Sequence, residues 1–128
     1  MLVLGSSNPK NAKKSVVASG LSFPGGGAIS LKWTPTTTGL FKGGDGLCDG
    51  WLVAFWKING NWACGLIENC PNGTGYNWSD PLANIYNNPS YTPAPNKGDE
   101  CGFAVVSKDN SIRSNVVFGT WPLDKPSA

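Results

Sequence analysis

The chain has no histidine in its 128 residues. That absence removes the commonest general base, the Ser-His and Cys-His nucleophile pairs and most catalytic zinc sites. Acids are few as well: Glu68, Glu100 and a handful of aspartates. A carboxylate pair of the kind that cleaves glycosidic bonds would have to come from these, with Glu68 and Asp80 the conceivable partners. Acids at strand ends and in loops more often cap turns, so the expectation is no enzymatic activity and no cofactor. Arginine occurs once, at Arg113, and Lys13-Lys14 is the only adjacent basic pair. With 10 basic and 8 acidic side chains the net charge is +2, and no clustered stripe is present to follow phosphates, which argues against nucleic acid. No apolar run approaches the ~20 residues that a bilayer span requires, so membrane insertion is not expected. Met1-Leu2-Val3-Leu4 is too short for a signal-peptide core. Export would then follow removal of a signal or use another route, as in a virion protein.

What the chain does have is 17 Gly, 10 Pro, 6 Trp and many Asn, with 40% hydrophobic and 14% charged residues. Gly, Pro and Asn make turns and break helices, whereas Trp, Val, Phe and Thr favour strands. The expected class is all-β: an antiparallel β-sandwich, immunoglobulin/fibronectin-like or jelly-roll-like, with long Gly/Pro/Asn-rich loops and two disulfides. One domain is expected over residues 15–122, with a flexible arm at 1–14 and a tail at 123–128.

Residues 16–23 read as a strand with Val17, Leu21 and Phe23 on its apolar face. In 28–33 the alternation places Ile29, Leu31 and Trp33 on one side and Ser30 and Lys32 on the other, the pattern of a half-buried strand. The strongest signal is 51–68, where two apolar runs flank Asn59-Gly60, the preferred pair for a two-residue hairpin turn. In that register Ile58 opposes Asn61, Lys57 opposes Trp62, Trp56 opposes Ala63 and Phe55 opposes Cys64. One face then carries Trp51, Val53, Phe55, Trp62, Cys64 and Leu66 and reads as core. The other carries Leu52, Ala54, Trp56, Ala63, Gly65 and Ile67, where small neighbours leave the Trp56 ring open. Residues 69–97 form a long polar loop containing Tyr76, Trp78, Tyr86 and Tyr91, interrupted by a short edge strand near 83–86. Further strands are expected at 101–107 and 115–121, with a turn at Asp109-Asn110.

Cys48, Cys64, Cys70 and Cys101 make an even set with no Cys-x-x-Cys pair, which disfavours zinc and favours disulfides and an oxidising compartment. The preferred pairing is Cys64 with Cys101, both on faces read as core, and Cys48 with Cys70 across the open end of the hairpin. The Asp45 and Asp49 loop among glycines has the wrong spacing for calcium, so no metal is expected. Asn72-Gly73-Thr74 and Asn77-Trp78-Ser79 fit the glycosylation acceptor pattern.

An exposed indole or phenol can stack on the C–H face of a sugar while amides and acids bond its hydroxyls. Trp56 on the open hairpin face, and Tyr76, Asn77, Trp78 and Asp80 in the loop, supply both ingredients, with Tyr86 and Tyr91 extending the surface. Trp33, Trp51, Trp62 and Trp121 read as core.

The run Cys101-Gly102-Phe103-Ala104-Val105-Val106-Ser107, a turn, then Arg113-Ser114-Asn115-Val116-Val117-Phe118 resembles the last hairpin of fibronectin type III domains. There an aromatic-x-Val strand and a Ser-Asn-x-Val strand occur in this order. The cysteines and the Trp-rich hairpin depart from that family. The texture of the whole chain is similar to secreted carbohydrate-binding β-sandwich modules and lectins, and this resemblance implies a non-catalytic extracellular binding module for a glycan or polysaccharide. The competing expectation is an assembly protein, an adhesin repeat or a subunit on a filament or virion surface, whose partner is a copy of itself.

Overall fold

The computed structural model describes residues 2–3, 14–34, 50–70, 75–91, 93–107 and 112–125. In chain order the strands are β1 (Leu2–Val3), β2 (Lys14–Ser22), β3 (Ile29–Thr34), β4 (Gly50–Ile58), β5 (Asn61–Cys70), β6 (Gly75–Trp78), β7 (Glu100–Ser107), β8 (Ile112–Ser114) and β9 (Val117–Thr120). One helical turn, α1 (Asn84–Asn87), precedes β7. The protein is all-β.

The β4–β5 hairpin forms in the expected register, from Ile58↔Asn61 to Phe55↔Cys64. Asn59 and Gly60 both take positive φ, 51° and 85°, as the tight turn that matches strand twist requires. β4 also pairs with β7, and β7 with both β8 and β9, giving the order β1-β5-β4-β7-β8-β2-β3-β6 with β9 beside β8 on β7. Neighbours are antiparallel except β2 and β8, which run parallel. The last strand, expected at 115–121, is found as β9 at Val117–Thr120, and β8 precedes it as a further short strand. Residues 83–86, expected as an edge strand, contribute to α1 instead; four residues are too few to show a helical period in sequence.

β2 joins the two parts of the sheet. Lys14, Ser15 and Val16 pair with β8, and the strand then leaves to pair with β3. At the parting point the Asn115 amide takes the place of a strand: its Oδ1 accepts the Ala18 N–H at 2.8 Å and its Nδ2 donates to the Ala18 carbonyl at 3.2 Å. The sheet thereby curls on itself. Its inner face gathers Ile29, Leu31 and Trp33 of β3, Leu52, Ala54 and Trp56 of β4, and Cys101, Phe103 and Val105 of β7 into one core. The alternation expected in β3 is present. In β2 it is not as expected: Val16 and Ala18 are buried while Val17 is 62% exposed. Gly20 sits at φ 68° within a register shift between Ser19 and Ser22. This irregularity changes which side chains face inward, so Leu21 and Phe23 pack on the core although Val17 does not.

The outer face of β4, β5 and β7 holds a second, smaller cluster of Val53, Phe55, Cys64, Ala104 and Val106. The hairpin is thus apolar on both sides, and the main core lies on the side expected to be open. Cys64 and Cys101 are both buried, but Cys64 lies beside Phe55 in the outer cluster and Cys101 beside Trp56 in the main core. β4 runs between them and the two point to opposite faces, so the expected Cys64–Cys101 bridge is not made. No disulfide occurs among the described residues. The expected pairing of Cys48 with Cys70 lies outside them: Cys48 is not described and only the backbone of Cys70 is. The Asp45–Asp49 loop and the Asp109-Asn110 turn also lie outside the described residues, as does most of the arm, of which Leu2 and Val3 pair with Cys64 and Ala63.

Candidate functional site

The aromatic residues expected to form an open surface are drawn inward. Trp56 and Trp78 are 0% and 5% exposed. Gly65, opposite Ala54 on the same face as Trp56, explains the first. A Cβ at Gly65 would lie 2.6 Å from Tyr91 Cζ, so the missing side chain makes the slot that the Tyr91 ring fills. Tyr91 meets Trp56 edge-on, with centroids 5.8 Å apart. The small residues around Trp56 therefore provide room for a cover and do not leave the ring open.

The cover is held by side chains that reach loop and strand carbonyls. Trp56 Nε1 donates to the Pro93 carbonyl at 3.0 Å, Tyr91 Oη to that of Leu66 at 3.1 Å, and Asn84 Nδ2 to that of Ile67 at 2.6 Å. Trp78 Nε1 donates to the Asn69 carbonyl at 2.8 Å, its ring resting against Trp33. Tyr86 Oη accepts from Trp121 Nε1 at 2.6 Å and donates to the Pro95 carbonyl at 3.0 Å. Burial raises the Tyr86 phenol above its usual range, against the lowering effect of the Trp121 bond. A buried carbonyl without a strand partner needs a donor, and Trp and Tyr bring one on an apolar body. Trp78, Asn84, Tyr86 and Tyr91 thus serve to anchor an irregular segment. Of the remaining expected site residues, Asn77 is exposed and accepts from Ser30 Oγ. Asp80 is exposed, with Oδ1 in the space above Gly27 where a Cβ would stand. The Tyr76 side chain lies outside the description.

Among the described residues an exposed aromatic pair lies on the other face of the hairpin. Phe118 of β9 is 59% exposed. Its ring centroid lies 5.5 Å from that of the partly exposed Trp62, the planes inclined at 56°. Gly102 stands between Phe55 on β4 and Phe118 on β9. Val116 and Phe118 occupy the space its side chain would take. Lys57, opposite Trp62 in the hairpin, places Nζ 5.1 Å from the indole centroid. It also lies 3.6 Å from Glu100 Oε1, and both side chains are about half exposed, 48% and 54%. Thr120, opposite Glu100 on β9, is exposed. An aromatic pair therefore borders an ammonium, a carboxylate and a hydroxyl. Sequence reasoning placed Trp62 in the core and passed over Phe118. The signal was available in the hairpin register: a Trp directly opposite a Lys beside the turn sits at the solvated end of its face.

The groups considered for catalysis are engaged locally. Glu68 Oε1 accepts the Asn69 N–H at 3.0 Å. Burial, with Glu100 and Asp99 adding to it, pushes the Cys101 thiol up to about 12, so it stays protonated and un-nucleophilic at neutral pH. Among the described residues no three His, Cys, Asp or Glu side chains group to hold a metal, and no helix is long and apolar enough to cross a membrane. Compared with known proteins, the chain matches no family model, no curated protein and no solved structure.

Proposed function

We propose that this chain is a non-catalytic extracellular binding module of lectin-like type, a β-sandwich in finer classification, which holds a carbohydrate on the Trp62–Phe118 surface. The observation that carries the reading is the exposed aromatic pair, 5.5 Å between centroids, bordered by Lys57 and Glu100. The rings offer an apolar platform to a sugar's C–H face, and the flanking groups bond its hydroxyls. Trp56 and Trp78, both buried, have no part in it. Binding to immobilised polysaccharides and a glycan panel tests the reading. Trp62→Ala and Phe118→Ala should each weaken binding at least about tenfold, a loss of ~1.4 kcal/mol, while leaving the fold intact. A wild-type protein that binds no glycan on the panel overturns it.

A second reading is self-assembly. The observation behind it is that Phe118 is 59% exposed on β9, a strand that among the described residues hydrogen-bonds only to β7; an exposed aromatic on a short strand can dock a neighbouring copy. Under this reading sedimentation shows an oligomer that Phe118→Lys dissolves; a monomer at high concentration rejects it.

A further inference from the structure

We infer that the Trp62–Phe118 surface takes single glycan chains free in solution and not the flat face of a crystalline polysaccharide; this rests on the carbohydrate reading above. The two rings do not form one flat ledge. Their planes are inclined at 56° with centroids 5.5 Å apart, so a rigid flat face lying on one ring meets the other at its edge. The inclination is built into the sheet. Phe118 sits over Gly102 of β7, where its Cδ1 and Cε1 would lie 3.3 and 3.4 Å from a Cβ. Val116 takes up the rest of that space. Trp62 is set by the hairpin, paired with Lys57 next to the turn. The missing side chain at residue 102 and the contact with Trp62 together seat the Phe118 ring.

Lys57 is a second obstacle to a flat face. Its Nζ stands over the indole, 5.1 Å from the ring centroid. Glu100 Oε1, 3.6 Å away, holds it there, and both side chains are about half exposed. The ammonium therefore rises above the level on which a plane of sugars would have to rest. A rigid face of C–H groups pressed onto it would strip its water without replacing those bonds, which is costly for a charge. A single chain meets neither obstacle. Its glycosidic torsions let neighbouring sugar units incline to one another, so that one can lie on Phe118 and the next against Trp62. Its hydroxyls then pass beside Lys57 and can accept from it.

The experiment is titration of the full chain with the same sugar in two forms: cellohexaose and microcrystalline cellulose, chitohexaose and crystalline chitin, mannohexaose and crystalline mannan. Calorimetry follows the soluble probes, and depletion of protein from solution follows the insoluble ones. The expected result is binding to a soluble hexasaccharide and binding at least about tenfold weaker, per accessible site, to its crystalline form, because the flat face engages one ring only. Lys57→Ala should narrow that gap with unchanged thermal melting, since it removes the protruding charge and keeps both rings. Crystalline forms bound as tightly as the soluble ones, or more tightly, overturn the inference and leave the sugar reading standing. A gap unaltered by Lys57→Ala overturns the part assigned to the ammonium. No binding to any of these probes also overturns the inference, and the sugar reading falls with it only if the glycan panel is blank as well.

Discussion

The two faces of the β4–β5 hairpin carry the same kind of residue to opposite ends. On the inner face Trp56 is completely buried, bonded to the Pro93 carbonyl and capped by Tyr91. On the outer face Trp62, near the same turn, remains partly exposed beside Phe118 and under Lys57. Local pattern does not decide which indole reaches water. What decides is whether another segment has a slot to enter, and the slot above Trp56 exists because residue 65 is glycine.

The largest effect that separates the faces is loss of the inner indole. Trp56→Ala should cost about 3–5 kcal/mol, measured by denaturant unfolding, because it opens a cavity and leaves the Pro93 carbonyl without its donor. If Trp62→Ala proved as costly, the contrast between the faces would fail. Next is Gly65→Ala, whose Cβ would lie 2.6 and 2.7 Å from Tyr91 ring atoms and 3.0 Å from its hydroxyl oxygen. It should destabilise by about 1–3 kcal/mol and shift tryptophan emission to the red as Tyr91 is driven off Trp56. In a Tyr91→Ala background the same change should be far milder, and a double-mutant cycle that shows no coupling rejects the slot.

The inner core also sharpens the comparison through pH. Burial pushes the Cys101 thiol from its usual 9.0 up to about 12. Between those values the folded state binds a proton that the unfolded state has released, so stability is intact below pH 9 and falls as pH rises toward 12. The expected loss is roughly 1.4 kcal/mol per pH unit in that window, and Cys101→Ala should flatten it. A slope unaltered by that variant rejects the assignment. The smallest effects belong to the outer face. Phe118→Ala and Glu100→Gln should each change stability by less than about 1 kcal/mol, since exposed pairs contribute little. Their consequences should appear in ligand binding alone.

The legible parts of this fold are those with a strong local cause. Asn59-Gly60 dictated a turn, and with it every pair from Ile58↔Asn61 to Phe55↔Cys64. Strict alternation in Ile29–Thr34 showed its buried side directly. The irregularity around Gly20 was not legible, because a glycine in a strand shows neither whether the register shifts there nor where. The hairpin's two faces were misjudged for a different reason: a strand buried on both sides has no polar alternation to reveal which side is the main core. The site suffered accordingly, with Trp56 and Trp78 expected outside and Trp62 inside.

Composition and turn chemistry by themselves determined an all-β chain, a hairpin in known register and a surface poor in charge, because these follow from forces acting over a few residues. Which face of that hairpin met the rest of the chain was decided only by the curled sheet, as was the separation of Cys64 from Cys101. Both depend on strand order and on a loop returning to cover Gly65, contacts between residues far apart in sequence that no local pattern encodes.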